Sequence, residues 1–153
     1  TERFEEYLDS FFGFSEGSPE NRFQGFNNET DMEAPWAYHY IGRSDRLFRI
    51  LEASLDCMFA EGRGGIPGNN DSGGLGATYI WNALGLFPVT GQDLMLPGKC
   101  RFDRAVLHLA GGNAVTIENK CGRRDPERTL FNGKETDALR VTEFMKGGEL
   151  VFE

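Results

Sequence analysis

Two short polar segments hold the carboxylate and amide side chains that are best suited to chemistry. The first is the glycine-rich stretch EGRGGIPGNNDSGG, residues 61–74, which has Asn69, Asn70 and Asp71 in its middle. A polar, glycine-rich turn that runs directly into a buried helix is typical of many active sites, because the backbone can approach a ligand closely and a rigid element aims the side chains. Asp71 is therefore the first candidate for a reactive group.

Other interpretations of the Asp71 loop differ in how well they fit the sequence. The loop lacks the Lys and the Ser or Thr that end a GxxxxGK[ST] phosphate loop. It also lacks the alternating carboxylates and the terminal Glu of an EF-hand calcium loop. A structural alternative stays open, in which Asp71 or Ser72 accepts backbone N–H bonds as the N-cap of the following helix.

The second segment is Asn27-Asn28-Glu29-Thr30-Asp31, with Glu33 just beyond it. Several side-chain oxygens close together suit a hard cation such as calcium, which takes six to eight oxygen ligands. The alternative is that these residues cap a helix and form a solvated acidic turn. The residues alone leave both interpretations open.

The histidines, aromatic residues and cysteines give weaker signals. His39 and His108 each stand alone, and a packed or surface position explains them better than metal ligation. The three cysteines show no CxxC spacing, so we expect no zinc site and leave a Cys100–Cys121 disulfide open. Aromatic side chains that could stack on a sugar ring, or equally fill a helical core, are Trp36, Tyr38, Tyr40, Tyr79 and Trp81.

Hydrophobic periodicity predicts helices in the first part of the chain. The clearest one starts at Ser44, with Leu47, Ile50, Leu51, Leu55, Met58 and Phe59 on one stripe. Further predictions are a helix over 1–12 stopped by Gly13, an ordered loop over 13–30, a helix over 31–41 capped by Asp31, and a buried helix over 75–84 that ends at Gly85.

After Thr90 the pattern changes to short alternating runs separated by turns, which predict five or six antiparallel strands. Asn132-Gly133 is a strong hairpin turn. We predict an α+β fold with two domains, a helical part over residues 1–90 and a strand region over 91–153 that forms a small antiparallel sheet or a partial β-sandwich. The predicted strands lie in DLMLP, RAVLHLA, AVTIENK, RTLFNG, ALRVTEFM and ELVFE.

The composition excludes two classes of protein. The 153 residues carry a formal charge of −8 and give a pI near 4.8, with Lys and Arg scattered among acids, so a nucleic-acid partner is not expected. No apolar run approaches the roughly 18 residues of a membrane helix, so we expect no membrane role. The chain begins at Thr1 with no basic and apolar leader, and we expect it to be a piece of a longer protein.

Two long motifs resemble glycoside hydrolase family 92, the calcium-dependent exo-acting α-mannosidases. The motifs are FQGFNNETDMEAPWAYHYIGRSDR, residues 23–46, and GGIPGNNDSGGLGATYIWNALGLFPV, residues 64–89, and they occur in the family's order. The resemblance covers about the first 90 residues well and the segment GKCRFDRAVLHLAGG more loosely. It implies that the helices are the last portion of an (α/α)6 toroid, in a secreted or periplasmic protein that acts on mannose-containing glycans.

The resemblance also implies a mechanism and a role for individual residues. Hydrolysis inverts the anomeric carbon of a terminal mannose, with one carboxylate activating water and an acid protonating the leaving oxygen. Asp71 matches the general base, with Asn69 and Asn70 as substrate-binding residues beside it. Glu29 matches a carboxylate at the calcium and substrate site, and Asn28 is a weaker candidate calcium ligand.

The family's general acid is a glutamate upstream of Thr1, so the resemblance implies that catalysis needs the upstream part of the parent chain as a partner. We expect the 153 residues alone to be inactive. Two departures from the family pattern leave the linkage preference open. The position of Asn69 is acidic in some members, and the paired histidines that follow Glu29 in many members are replaced here by TDMEAPW.

Three alternatives remain at this stage. The chain could be a non-catalytic sugar-binding or scaffold module in which Trp36 contacts glycan. It could also belong to another toroid glycosidase that acts on a different sugar. Finally, Glu29 and Asp71 could themselves pair as acid and base.

Overall fold

The computed structural model describes residues 2–17 and 27–153. The chain divides into two compact units, Thr1–Ile80 and Trp81–Glu153. The first unit is helical and the second is built mainly from strands, which confirms the predicted α+β class. The predicted ordered loop over 13–30 falls largely outside the described residues.

Helices of the first unit form where apolar side chains recur at helical spacing. Helix α1 spans Glu2–Phe11 and ends before Gly13, whose φ of 81° suits the predicted stop. Helix α2 spans Glu29–Glu33, and α3 spans Ala37–Tyr40. Helix α4 spans Ser44–Cys57, and α5 starts in the first unit and spans Gly74–Leu84.

Helix α4 confirms its predicted apolar stripe. Leu47, Ile50, Leu51 and Leu55 are all buried, whereas Met58 and Phe59 follow the end of the helix and are partly exposed. Burial of each large aliphatic side chain stabilises a fold by about 1.5–3 kcal/mol. The stripe therefore anchors α4 in the core of the first unit.

The predicted single helix over 31–41 is wrong in its start and its continuity. Asn28, not Asp31, is the N-cap, and the helix begins at Glu29. A 3₁₀ turn over Ala34–Trp36 then separates α2 from α3. Pro35 explains this turn because its ring would clash with the carbonyl four residues earlier in a continuous α-helix. Gly42, with a φ of 72°, follows α3 as predicted.

A polar cluster joins α1 to α3 and α4. The Tyr38 hydroxyl donates to the Asp9 carboxylate over 2.8 Å, and Arg46 lies 3.1 Å from the other oxygen of that carboxylate. Tyr38 is fully buried, and this burial together with Asp9 raises the pKa of the phenol. The Arg46 guanidinium also lies 4.2 Å above the Phe14 ring. These contacts connect α1, α3 and α4.

The second unit contains seven strands in two sheets. Six strands fall in or beside the predicted runs, and the seventh, β1, follows α5 directly. The Asn132-Gly133 hairpin is confirmed, with φ of 50° and 75°. The strands are β1 Leu86–Pro88, β2 Met95–Pro97, β3 Arg104–His108, β4 Ala114–Asn119, β5 Thr129–Phe131, β6 Lys134–Glu135 and β7 Gly148–Phe152.

The pairing of these strands departs from an all-antiparallel arrangement. The larger sheet has the order β3-β4-β7-β5-β6, and β4 pairs with β7 in parallel. The other described pairs are antiparallel, including β1 with β2. Parallel pairing needs a long connection, which the 28 residues between Asn119 and Gly148 supply. Side chains from these strands, including Val115, Ile117, Leu150 and Phe152, form the core of the second unit.

One further expectation for the second unit is wrong, and the Cys100–Cys121 disulfide that the sequence left open is not formed. The run ALRVTEFM forms a four-residue helix, α6 Val141–Phe144, and not a strand. The Asp93 carboxylate accepts hydrogen bonds from the backbone N–H and the hydroxyl of Thr142 and so holds the first turn of α6. Cys100 and Cys121 are free thiols, and the Cys100 Sγ donates to the carbonyl of Phe102.

Candidate active site

The turn that carries Asp71 is built around the side chain and carbonyl of Asn70. The Asn70 carbonyl accepts the N–H of Gly73 at 2.9 Å and of Gly74 at 2.6 Å, and the Asn70 Oδ1 accepts the N–H of Gly76 at 3.1 Å. Asn70 thus satisfies backbone donors at the start of α5. The structural alternative in which Asp71 or Ser72 caps this helix is therefore wrong.

Asp71 is left with an exposed carboxylate that accepts no hydrogen bond from the described part of the chain. Its backbone has a φ of 25°, and Ser72 has a φ of 57°. Non-glycine residues with positive φ cost free energy and tend to occur at functional sites. The turn therefore holds a strained aspartate with its carboxylate available to solvent or a ligand.

The turn that carries Glu29 is a capping box. The Asn28 Oδ1 accepts the N–H of Glu29 at 3.1 Å, and the Asp31 carboxylate reaches back to the N–H of Asn28 at 3.1 Å. Asp31 also accepts the N–H of Asn27 at 3.2 Å. The Glu29 side chain is exposed in the first turn of α2. Capping therefore occupies Asn28 and Asp31 and leaves the Glu29 carboxylate available.

The structure brings the two polar turns together. The N–H of Asn69 donates to the carbonyl of Asn27 at 3.1 Å. A Cβ on Gly68 would lie 2.4 Å from that carbonyl oxygen, so only glycine permits the contact. Nearby, the methyl group of Met32 lies 3.3 Å from the position that a Cβ on Gly74 would take. The backbone of the turn that carries Glu29 thus lies against the backbone of the turn that carries Asp71.

Sequence analysis named Asp71, Glu29, Asn28, Asn69 and Asn70 as candidates and placed Asn27 in the second polar segment, but it did not predict the contact of Asn27 with Gly68 and Asn69. The glycine was the available signal, because a glycine inside a polar loop often marks close backbone approach. The contact partner is about 40 residues away in sequence, and local patterns do not reveal such pairs.

The aromatic candidates divide between core and surface. Trp36 and Tyr38 are buried, as the core interpretation expects, and Tyr40 is exposed. Tyr79 packs against Phe59, with ring centroids 4.9 Å apart, at the edge of a cavity of about 420 Å³ that Gly76 also lines. Trp81 packs against the core of the second unit. The ring of His39 lies against Tyr40, and His108 is exposed on β3.

The described residues bring few possible cation ligands together in one place. Residues 2–17 and 27–153 contain no group of three or more His, Cys, Asp or Glu side chains that could hold a metal ion. Glu29 offers a free carboxylate, and Asn28 offers a carbonyl oxygen that already accepts one N–H. These are ligand types that calcium prefers, but they fill only part of a shell of six to eight oxygens.

Comparison with known families assigns the whole chain. The model of the glycosyl hydrolase family 92 catalytic domain matches residues 1–153. The chain belongs to glycosyl hydrolase family 92. This result confirms the resemblance that the two long motifs indicate, and it extends the assignment to the strand region.

Relatives of known sequence agree with the family 92 assignment. An uncharacterized secreted glycosidase from Arthroderma benhamiae is 29% identical over 131 residues, covering 80% of this chain and 17% of the relative. This chain therefore spans about a fifth or less of the length of such a relative.

Among the helices that the structure describes, none is long and apolar enough to cross a membrane.

Solved structures of family 92 enzymes share the fold. A family 92 inverting mannosidase from Bacteroides thetaiotaomicron has a TM-score of 0.70 and 28% identity, covering 79% of this chain and 17% of that one. A family 92 α-mannosidase from the same species has a TM-score of 0.82 and 19% identity, covering 99% of this chain and 21% of that one. Its complex with mannoimidazole gives a TM-score of 0.74 at 18% identity.

Proposed function

We propose that this chain is the part of a secreted or periplasmic, inverting, calcium-dependent exo-α-mannosidase that carries the general base, Asp71. The observation that supports the proposal best is the meeting of the two polar turns. Asn69, Asn70 and Asp71 lie beside the turn of Asn28 and Glu29, and the Asp71 carboxylate is exposed and unpaired among the described residues. Membership of a glycosidase family supports hydrolysis of a glycosidic bond as the reaction in which these residues act.

In the proposed reaction Asp71 accepts a proton from a water molecule as that water attacks the anomeric carbon of a terminal mannose. A general acid protonates the leaving oxygen on the opposite face, with the two carboxyl groups about 6.5–9.5 Å apart. We assign this acid to a glutamate upstream of Thr1, in an (α/α)6 toroid whose last portion the helices of this chain would form. The 153 residues alone are then inactive.

Calcium and substrate recognition are assigned to the second turn and its neighbours. Glu29 would hold the ion through its carboxylate with an oxygen of Asn28 alongside, and the rest of the shell would come from elsewhere in the protein, the sugar or water. When bound, calcium would fix the 2- and 3-hydroxyls of the mannose and favour a distorted ring. Asn69 would place its amide beside the sugar, whereas Asn70 already uses its Oδ1 to accept the N–H of Gly76.

The decisive test follows the anomeric proton of mannose released from an α-mannobioside by the full-length protein, with and without EDTA. The proposal expects β-mannose as the first product and loss of release when EDTA removes the metal. Initial α-mannose contradicts inversion, and unchanged release in EDTA contradicts the calcium assignment. Release of glucose from a matched glucoside, with no release from mannosides, would favour a toroid glycosidase for another sugar. Binding without any hydrolysis would favour a non-catalytic module.

A further inference from the structure

One peptide group connects the two polar turns. The peptide between Asn27 and Asn28 donates its N–H to the Asp31 carboxylate at 3.1 Å and accepts the Asn69 N–H on its carbonyl at 3.1 Å. We call it the bridging peptide. The N–H and C=O of a trans peptide point in opposite directions, so Asp31 holds the bridging peptide from one side and Asn69 from the other. Hydrogen bonds in such a chain polarise and strengthen one another.

The bridging peptide adjoins both proposed functional carboxylates in sequence. Glu29 follows it directly, and Asn69 is two residues before Asp71. Any displacement of the bridging peptide relative to Asn69 therefore changes the spacing between Glu29 and Asp71. Asp31 is an especially strong support, because its carboxylate accepts a second N–H, that of Asn27, at 3.2 Å.

Gly68 supports the same contact by leaving room for it. A Cβ at this position would lie 2.4 Å from the Asn27 carbonyl oxygen and 2.5 Å from the Asn27 Cα. Both neighbours are backbone atoms, which a rotamer change cannot move. Any side chain at Gly68 must therefore push the two turns apart.

We propose that Asp31 and Gly68 are positioning residues that set the spacing between the Glu29 and Asp71 carboxylates through the bridging peptide. This inference rests on the proposed function, in which the two carboxylates act on the same mannose. Neither residue touches the substrate. Misplacement of a catalytic group by about 1 Å can cost on the order of 100-fold in rate, so a contact that fixes this spacing has a large effect on turnover.

The sharpest test compares two glycine substitutions in the full-length protein. Gly68→Ala and Gly64→Ala both place alanine at a positive φ, 56° and 81°, but the Cβ meets backbone only at Gly68, and nothing lies within 4 Å at Gly64. We expect Gly68→Ala to lower kcat/KM by about 30-fold or more relative to Gly64→Ala. Equal values for the two variants overturn the role of Gly68.

A second comparison tests the role of the Asp31 carboxylate. Asp31→Ala is expected to lower kcat/KM by about tenfold or more, and Asp31→Asn to regain part of the loss because it retains an acceptor oxygen. Asp137→Ala removes an exposed carboxylate of the second unit, outside both turns, and is expected to leave kcat/KM unchanged. Activity of Asp31→Ala equal to that of Asp137→Ala overturns the role of Asp31.

Calorimetric titration with mannoimidazole separates positioning from loss of folded protein. A variant that is only less folded binds fewer equivalents with an unchanged Kd, whereas a variant with displaced turns binds one equivalent with a weaker Kd. We expect the second result for Gly68→Ala and Asp31→Ala, and the first result overturns the inference. If the wild-type full-length protein neither hydrolyses mannosides nor binds mannoimidazole, the proposed function itself is wrong and the inference fails with it.

Discussion

The two compact units of the chain differ in what they bury and what they expose. The second unit packs strands around an apolar cluster of buried residues that includes Val115, Ile117 and Phe152. The first unit carries both polar turns, and seven of the ten large hydrophobic side chains found exposed in the described chain lie in it, among them Tyr7 and Ile80. All of the candidate catalytic and calcium-binding residues thus lie in the first unit, which also exposes more of its large hydrophobic side chains than the second unit does.

We therefore expect catalysis and stability to respond to different substitutions in this chain. Substitutions in the turns of the first unit should change catalysis with little effect on folding. Substitutions in the core of the second unit should change folding directly.

Asp71→Asn is expected to reduce kcat of the full-length protein by about 10²- to 10⁴-fold, the usual contribution of a general base. The substitution keeps the size of an exposed side chain and should leave the thermal unfolding midpoint in place. Asp103→Asn, an exposed aspartate of the second unit, is the matched control with wild-type kcat. Equal rates for the two variants would remove Asp71 from the mechanism.

Phe152→Ala is expected to lower the free energy of unfolding by about 3–5 kcal/mol, because Phe152 is 1% exposed within the apolar cluster. Phe102, which is 45% exposed, provides the control, and its replacement by Ala should change stability by less than about 0.5 kcal/mol. Urea denaturation followed by circular dichroism measures both. Equal losses of stability in the Phe152 and Phe102 variants would show that Phe152 does not lie in a closed core.

Tyr38→Phe is expected to lower the free energy of unfolding by about 1.5 kcal/mol, because it removes the hydrogen bond to Asp9 and keeps the buried ring. Tyr40→Phe removes a hydroxyl from a side chain that is 64% exposed and should have no measurable effect. Both variants are compared in the same urea titration. If Tyr38→Phe leaves the free energy of unfolding unchanged, packing alone connects α1 to α3.

Lowering the pH should slightly reduce the stability of the second unit, because it protonates the Asp93 carboxylate. The Thr142 N–H and hydroxyl, and then Arg140, hold the pKa of this carboxyl below its ordinary value of 3.8. Because the folded-state pKa is depressed, the stabilisation is present above pH 3.8 and is lost as the pH falls through the folded-state pKa. Urea midpoints measured downward from about pH 5 should therefore fall less in Asp93→Asn than in the wild type. If the urea midpoints of Asp93→Asn and the wild type fall equally as the pH is lowered, Asp93 does not contribute in this way.

Sequence patterns were sufficient where the determining contacts are local. The stripe on α4, the stop at Gly13 and the Asn132-Gly133 hairpin all depend on neighbouring residues, and all three are confirmed. The run ALRVTEFM alternates like a strand, but Asp93, almost 50 residues earlier, supplies the cap that makes it a helix. The parallel pairing of β4 with β7 is non-local in the same way.

The candidate site shows the same division between local and distant determinants. Asp71 and Glu29 were named as candidates because each lies in a polar turn within one of the two long motifs. The helix caps beside them were harder to predict, since the sequence favoured Asp31 for one cap and offered Asp71 or Ser72 for the other. Asn28 caps α2 in place of Asp31, and Asn70 satisfies the start of α5 in place of Asp71. Several neighbouring polar side chains could serve each cap, and only the folded backbone selects one.

The left-handed backbone at Asp71 and Ser72 has an evolutionary consequence. Each residue costs on the order of 1–3 kcal/mol in this conformation, which glycine would adopt without strain. A population of variants selected only for folding should therefore drift toward glycine at position 71, whereas one selected for hydrolysis should keep aspartate. Under the proposed function, an aspartate that persists here in descendant sequences would record continued selection for catalysis.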